Sequence, residues 1–335
     1  MNPTSRLIAV LALSLCACGG DATRSGEPAS AVITADGSST VFPATEAVAE
    51  EFQRANPGTR VTVGSSGTSG GFQKFCRNEI DISDASRPIR PSEVEACKAA
   101  GVDYIELPVA YDSIAIVVNP KNTWATSMTV DELKKLWEPA AQGKITRWSQ
   151  IRAGWPDREI HLFGAGVDSG TFDYFTEVIA GKSGASRGDY TSSEDDNVIV
   201  QGVSGDENAL GYFGFAYYEQ NKDKLKLVPI DDGDDANGQG PIAASPETIK
   251  AGTYRPLSRP IFIYPKLKSL DRPEVSSFVE FYLSKGPSLI REVGYVPLSD
   301  REYELVRARL KNKKTGSMFS GDTHSQTTLE QLLSR

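Results

Sequence analysis

Apolar residues recur along this chain in two alternating periods. Val32-Ile33-Thr34 reads as a short strand. Val41, Val48 and Phe52 then fall on one face of a helix that takes Pro43 into its first turn and ends near Asn56-Pro57-Gly58. Arg60-Val61-Thr62-Val63 alternates like a strand, and Phe72, Phe75 and Cys76 open the next helix. A short strand ending in a polar turn follows over 80–89, then a helix over 91–100 and a strand over 104–107. Ser113-Ile114-Ala115-Ile116-Val117-Val118 is unbroken, which suits a central strand buried on both faces. It marks the crossing into a second domain.

Downstream, the pattern predicts a helix over 129–137, a strand over 159–163 and a helix over 171–181. A helix or strand begins at Asp195, and strands follow at 211–215 and 226–230. Residues 231–240 are acidic and glycine-rich, hence a surface loop, without the terminal glutamate of an EF-hand. The strand over 259–264 is assigned to the return crossing. Helices over 275–283 and 287–293 and a charged helix from Arg301 complete the series. The polar stretch 311–335 is expected to be a loosely ordered tail. Alternating strands and helices imply an α/β fold. The expected division is one lobe of 31–118 plus 255–310 and a second of 119–254.

Three strand-to-helix junctions share one design. They are Asp36-Gly37-Ser38-Ser39-Thr40-Val41-Phe42-Pro43, Gly64-Ser65-Ser66-Gly67-Thr68-Ser69-Gly70-Gly71, and Gly166-Val167-Asp168-Ser169-Gly170-Thr171-Phe172. Each places small and hydroxylated residues where a helix begins. The first turn of a helix leaves backbone N–H groups unpaired, and the helix dipole makes that end positive. Such an end holds an oxyanion without a cationic side chain. For one isolated copy, a plain helix cap by Asp168 or Ser169 explains the residues as well. Three copies divided between two domains, with ligands of open α/β sheets bound beyond the strand ends, describe a cleft lined with donors.

Composition narrows the ligand. The chain has 335 residues, enough for two domains, with 39% hydrophobic and 24% charged residues, ordinary for a soluble globular protein. Its net charge of -8 argues against nucleic acid, so an anion must be held by local donors. The ligand these donors suit is a small tetrahedral oxyanion. A carboxylate acceptor beside it would favour monohydrogen phosphate, which carries a proton, over fully ionised sulfate. Asp84, Asp168 and Asp112 are the candidate acceptors, each also readable as a cap or turn residue.

The N-terminus is a targeting segment over 1–17, with Arg6 ahead of an apolar run too short to span a bilayer. It ends in Leu15-Cys16-Ala17-Cys18-Gly19, which resembles a bacterial lipobox and implies lipidation of Cys18; the alternative is an ordinary secretory signal with incidental cysteines. Residues 18–30 then form a flexible tether, placing the protein outside the cytoplasm on a lipid anchor. The two remaining cysteines, Cys76 and Cys97, are expected to form one disulfide. No cysteine–histidine cluster has metal-ligand spacing, and no cofactor is expected. A serine hydrolase would need a base, and His161 lies in a predicted strand, where a packing role is expected. No Walker A sequence is present.

Taken together, the three junctions, Asp84-Ala85-Ser86-Arg87-Pro88-Ile89 and Gly211-Tyr212-Phe213-Gly214 make the chain similar to the phosphate-binding proteins of bacterial ABC phosphate importers. The resemblance runs from about Ile33 to about Pro297. It implies a two-lobed type II periplasmic binding-protein fold with inorganic phosphate between the lobes. It also implies a monomer that docks on the transmembrane subunits of a permease. Carried over by motif, Ser39, Thr40 and Val41, then Thr68 and Ser69, then Ser169, Gly170 and Thr171 would meet the phosphate. Two departures stand out. The best-known branch has an arginine shortly before Ser-Gly-Thr, where this chain has Leu162-Phe163-Gly164-Ala165-Gly166-Val167. It also has an aspartate where Ser86 stands here. Arg87 is the expected replacement cation; its other reading is an ion pair to Asp84 or Asp168. Other oxyanions (sulfate, molybdate, tungstate), ester hydrolysis, and an adhesion or signalling role without transport remain as alternatives.

Overall fold

A computed structural model describes residues 31–319 and 327–335. The leader, Cys18 and the tether lie outside the described residues. The first half runs β1 (Ala31–Gly37), α1 (Phe42–Ala55), β2 (Thr59–Gly64), α2 (Thr68–Cys76), β3 (Ile82–Ala85), α3 (Pro91–Ala99) and β4 (Leu107–Val118). Then come β5 (Met128–Thr129), α4 (Val130–Trp137), α5 (Trp148–Ile151), β6 (His161–Ala165), α6 (Gly170–Ala180), β7 (Thr191–Ser193), α7 (Asp196–Gly205), β8 (Ala209–Gly214) and α8 (Phe215–Gln220). The chain finishes with β9 (Lys226–Leu227), β10 (Ile230–Asp231), α9 (Pro246–Lys250), β11 (Ser258–Pro265), α10 (Pro273–Ser284), α11 (Gly286–Glu292), β12 (Val296–Pro297), α12 (Asp300–Lys311) and α13 (Leu329–Leu333).

One sheet threads the molecule in the order β2-β1-β3-β11-β4-β8-β6-β7, with β9 and β12 also paired to β4. Strands β1, β2 and β3 are parallel, as are β6, β7 and β8. Between the two parallel groups, β11 and β4 run antiparallel to their neighbours. This is the two-lobed periplasmic binding-protein fold. All twelve residues of β4 are buried. Its first half pairs with β11 and its second half, from Ile114, with β8. The sequence suggests two strands here, 104–107 and 113–118, because Pro108 and Asp112 interrupt the apolar run. The structure makes one strand, in which Tyr111 and Asp112 are buried with polar partners.

Each parallel group is covered by helices whose apolar faces the periodicity marks. Phe52 of α1 meets Phe278 and Phe281 of α10 edge-on, at 5.2 and 5.4 Å between ring centres. In the second group, Trp137 of α4 packs edge-on against Phe175, Tyr190 and Tyr212. The 311–335 stretch departs from expectation at its end. Thr328 caps α13, and Leu329, Leu332 and Leu333 are buried, so three leucines suffice to seat a short helix on the fold. Residues 226–230 also differ, giving two strands of two residues each, one on β4 and one on β5.

The expected disulfide joins Cys76 at the end of α2 to Cys97 in α3, 21 residues apart and buried. A loop of that length, closed in the unfolded chain, contributes about 3 kcal/mol. Replacing both cysteines by alanine should lower the unfolding free energy by about that amount in guanidinium titrations. An unchanged midpoint would show that the crosslink constrains nothing the packing does not already fix.

Candidate functional site

The first junction is set by a close approach. A Cβ on Gly37 would stand 2.1 Å from the Asp84 carbonyl oxygen, so only glycine lets β1 pass β3 there. The Ser38 N–H donates to that same carbonyl at 2.9 Å. Val41 and Phe42 then donate to the Ser38 carbonyl, starting α1. Among the described residues, the N–H groups of Ser39 and Thr40 meet no acceptor. Val41 itself points into the core.

Asp36 shapes the second junction. Its carboxylate accepts from the Ser66 N–H at 3.1 Å, from the Ser66 hydroxyl, and from Lys74 Nζ at 2.6 Å. Burial would raise the Asp36 carboxyl, but the bonds from Lys74 and Ser66 outweigh it and hold it below the usual range. Gly67 enters α2 at φ +77, a conformation that favours glycine. The N–H groups of Thr68, Ser69 and Gly70 meet no acceptor among the described residues. The Thr68 and Ser86 hydroxyls lie 3.1 Å apart, which ties the loop to the exit of β3.

Arg87 does not pair with Asp84 or Asp168. It forms a two-pronged bond to Glu93 at 2.8 and 2.9 Å, and its Nη2 donates to the Ser69 hydroxyl at 2.9 Å. Glu93 is also bonded to the Arg90 N–H, so Arg87 is held at the start of α3.

At the third junction, Ser169 caps α6 and accepts from the Thr171 N–H at 3.1 Å. Asp168 is exposed, and its N–H donates to Glu194. The N–H of Gly170 meets no acceptor among the described residues. A Cβ on Gly170 would stand 2.7 Å from Thr40 Oγ1 and 2.9 Å from Thr40 N. The starts of α1 and α6, from opposite halves of the sheet, therefore touch.

The floor between these loops comes from the crossing strands. Arg259 of β11 and Asp112 of β4 are register partners. Arg259 Nε donates to Asp112 Oδ2 at 3.4 Å and Nη2 donates to Thr40 Oγ1 at 3.3 Å. The guanidinium lies 3.6 Å from the centre of the Tyr174 ring, and Nη1 is 3.8 Å from Glu177. The Tyr295 hydroxyl donates to the Thr40 carbonyl. Burial pushes the Asp112 carboxyl up, and Arg259 opposes that rise.

The structure thus brings Ser39, Thr40 and Gly170 to one place, and Thr68, Ser69, Ser86 and Arg87 to a second, contiguous through α2 and β3. Asp84 lies beneath, fully buried, with neither carboxyl oxygen hydrogen-bonded among the described residues. Sequence reasoning misses Arg259, Tyr174 and Tyr295. The signal for Arg259 is a lone cation at the head of an apolar strand. His161 is not a packing residue. It is exposed at the start of β6 and bonded to Asp206. No group of metal-ligating side chains is found among the described residues.

Comparison with known proteins bears on the family and the fold. Residues 22–285 match the PBP superfamily domain. The chain is 45% identical over 329 residues to Protein SphX of Synechocystis, covering 98% of this chain and 95% of that one. It is 36% identical over 301 residues to the phosphate-binding protein PstS of Staphylococcus saprophyticus, covering 89% and 90%. A crystal structure described as a possible phosphate binding protein from Planctomyces limnophilus superposes with a TM-score of 0.81 at 50% identity, covering 86% of this chain and all of that one.

Asp84 carries a stability prediction. Burial, with a smaller push from Asp36, raises its carboxyl from 3.8 to about 7. The folded state therefore binds a proton that the unfolded chain has already released. Its contribution is complete below pH 4 and is lost as the pH climbs through about 7. Three pKa units correspond to about 4 kcal/mol. Asp84→Asn should remove most of this decline in unfolding free energy between pH 4 and 8. An undiminished slope in that variant would place the pH dependence elsewhere.

Proposed function

Because the chain belongs to the PBP superfamily and, within it, to the PstS-type phosphate-binding proteins, we propose that it captures inorganic phosphate between its two lobes and delivers it to an ABC importer. The observation that carries this reading is the meeting of α1 and α6 at Thr40 and Gly170. Two helix starts from opposite halves converge there with unspent N–H groups. The start of α2, with Thr68 and Ser69, supplies the third set of donors. Ser39, Ser169 and Thr171 complete the shell through backbone and hydroxyl groups, whereas the Val41 N–H is already taken by the Ser38 carbonyl and its side chain is buried.

The proposed capture rests on a division into two lobes. Residues 31–118 with 255–310 form one lobe and 119–254 the other, joined by β4 and β11. Open lobes admit the anion, and closure buries it among donors. In a site closed off from water, hydrogen bonds from fixed donors to the anion are stronger than in bulk solvent. Discrimination against sulfate needs an acceptor for the proton of monohydrogen phosphate. Asp84 lies below the loops and Asp168 faces solvent. Asp112, buried beside Arg259 and Thr40, takes that role. The loops are read as binding rather than cleaving; His161, the candidate base, is exposed and bonded to Asp206. The mature protein is held outside the cytoplasm through lipidated Cys18 and acts as a monomer on the permease.

Calorimetric titration of the chain from Ala31 onward, stripped of ligand, tests this reading. Phosphate should bind tightly at one site, and excess sulfate should not displace it. Equal binding of the two anions would remove the carboxylate acceptor from the account. Absence of phosphate binding would leave the three junctions as ordinary helix caps.

A further inference from the structure

We propose that Arg259 is the cation that grips the captured anion, and that the same side chain ties the two lobes together on closure. The proposal rests on the phosphate reading above and names a ligand contact that the loop motifs do not contain. The third junction lacks an arginine, and the chain carries a net charge of -8, so a positive charge at the site must be local. Three cations stand near the junctions. Lys74 is spent on Asp36, and Arg87 is spent on Glu93 through both prongs. Arg87 also donates to the Ser69 hydroxyl at the start of α2, but of these three Arg259 alone joins a helix-start hydroxyl of the first lobe, Thr40 Oγ1, to α6 of the second, through Tyr174 and Glu177.

Its surroundings prepare it for an anion. The side chain is largely buried, its plane is fixed over the Tyr174 ring, and Asp112 takes only Nε, at 3.4 Å. The Nη2 edge is left toward Thr40 and the unspent N–H groups of α1. An oxyanion entering there takes over Nη2 and frees the Thr40 hydroxyl to donate as well. A planar guanidinium offers two parallel donors to such an anion, which an ammonium does not. Glu177 is half-exposed and 3.8 Å away, so it screens the charge weakly. With Asp112 as its register partner across the crossing strands, the guanidinium sits where the two lobes pivot.

The test is phosphate titration of Arg259→Gln and Arg259→Lys in the chain from Ala31 to Arg335, which forms one compact unit. Arg259→Gln should bind phosphate roughly 100-fold more weakly. Arg259→Lys keeps a charge opposite Asp112 and so guards against a folding failure; it should bind about tenfold more weakly. In the lysine variant the ligand-free melting temperature should stay close to that of the parent, while the upward shift produced by phosphate shrinks. Parent-like affinity in both variants would overturn the proposal. So would full affinity in Arg259→Gln together with its loss in Arg87→Ala, which would return the role to Arg87. Failure of the unaltered chain to bind phosphate would instead strike the phosphate reading itself.

Discussion

Much of this structure depends on the pairing of β4 with β11. A strand buried along its whole length must pair its backbone on both sides, because an unpaired N–H or carbonyl away from water costs free energy comparable to a lost hydrogen bond. β4 meets that demand by changing neighbours along its length, from β11 and β12 to β8 and β9. The change of neighbour joins one parallel group to the other. The junction loops of both groups then open toward the crossing strands. It also puts the polar residues of the crossing strands, Asp112 and Arg259, beneath the place where α1 and α6 touch.

Two kinds of donor meet at that place. Backbone N–H groups at helix starts are fixed by the fold and need no reorganisation when an anion arrives. The guanidinium of Arg259 is fixed by stacking and by one carboxylate. A site built on several lysines would attract many anions, whereas the proposed set of oriented dipoles, one fixed cation and one buried acceptor would read shape and protonation. Glycines enforce the spacing, since side chains at Gly37 and Gly170 would collide with backbone atoms of the opposing segments.

The three junctions are legible in the sequence because local chemistry writes them. Glycines, hydroxyls and the first apolar residues of each helix lie within a few positions of one another. The unbroken run 113–118 likewise announces a strand buried on both faces. What escapes is long-range. Arg259 finds Asp112 and Thr40 at separations of 147 and 219 residues, and no periodicity records such partners. Arg87, with acidic residues on several sides, pairs with Glu93 because α3 begins there and turns that side chain back. The early half of β4 hides behind Pro108, Tyr111 and Asp112, residues that read as a break until their partners are known. α13 is missed because three leucines in a polar stretch are too few to show a helical period.

Arsenate has the shape and charge of phosphate, and its arsenic can be located by anomalous scattering. Crystals of the chain grown with arsenate should show one strong arsenic peak among the starts of α1, α2 and α6, within hydrogen-bonding reach of Thr40 and Arg259. A peak at another edge of the sheet, or only on the surface, would contradict the account.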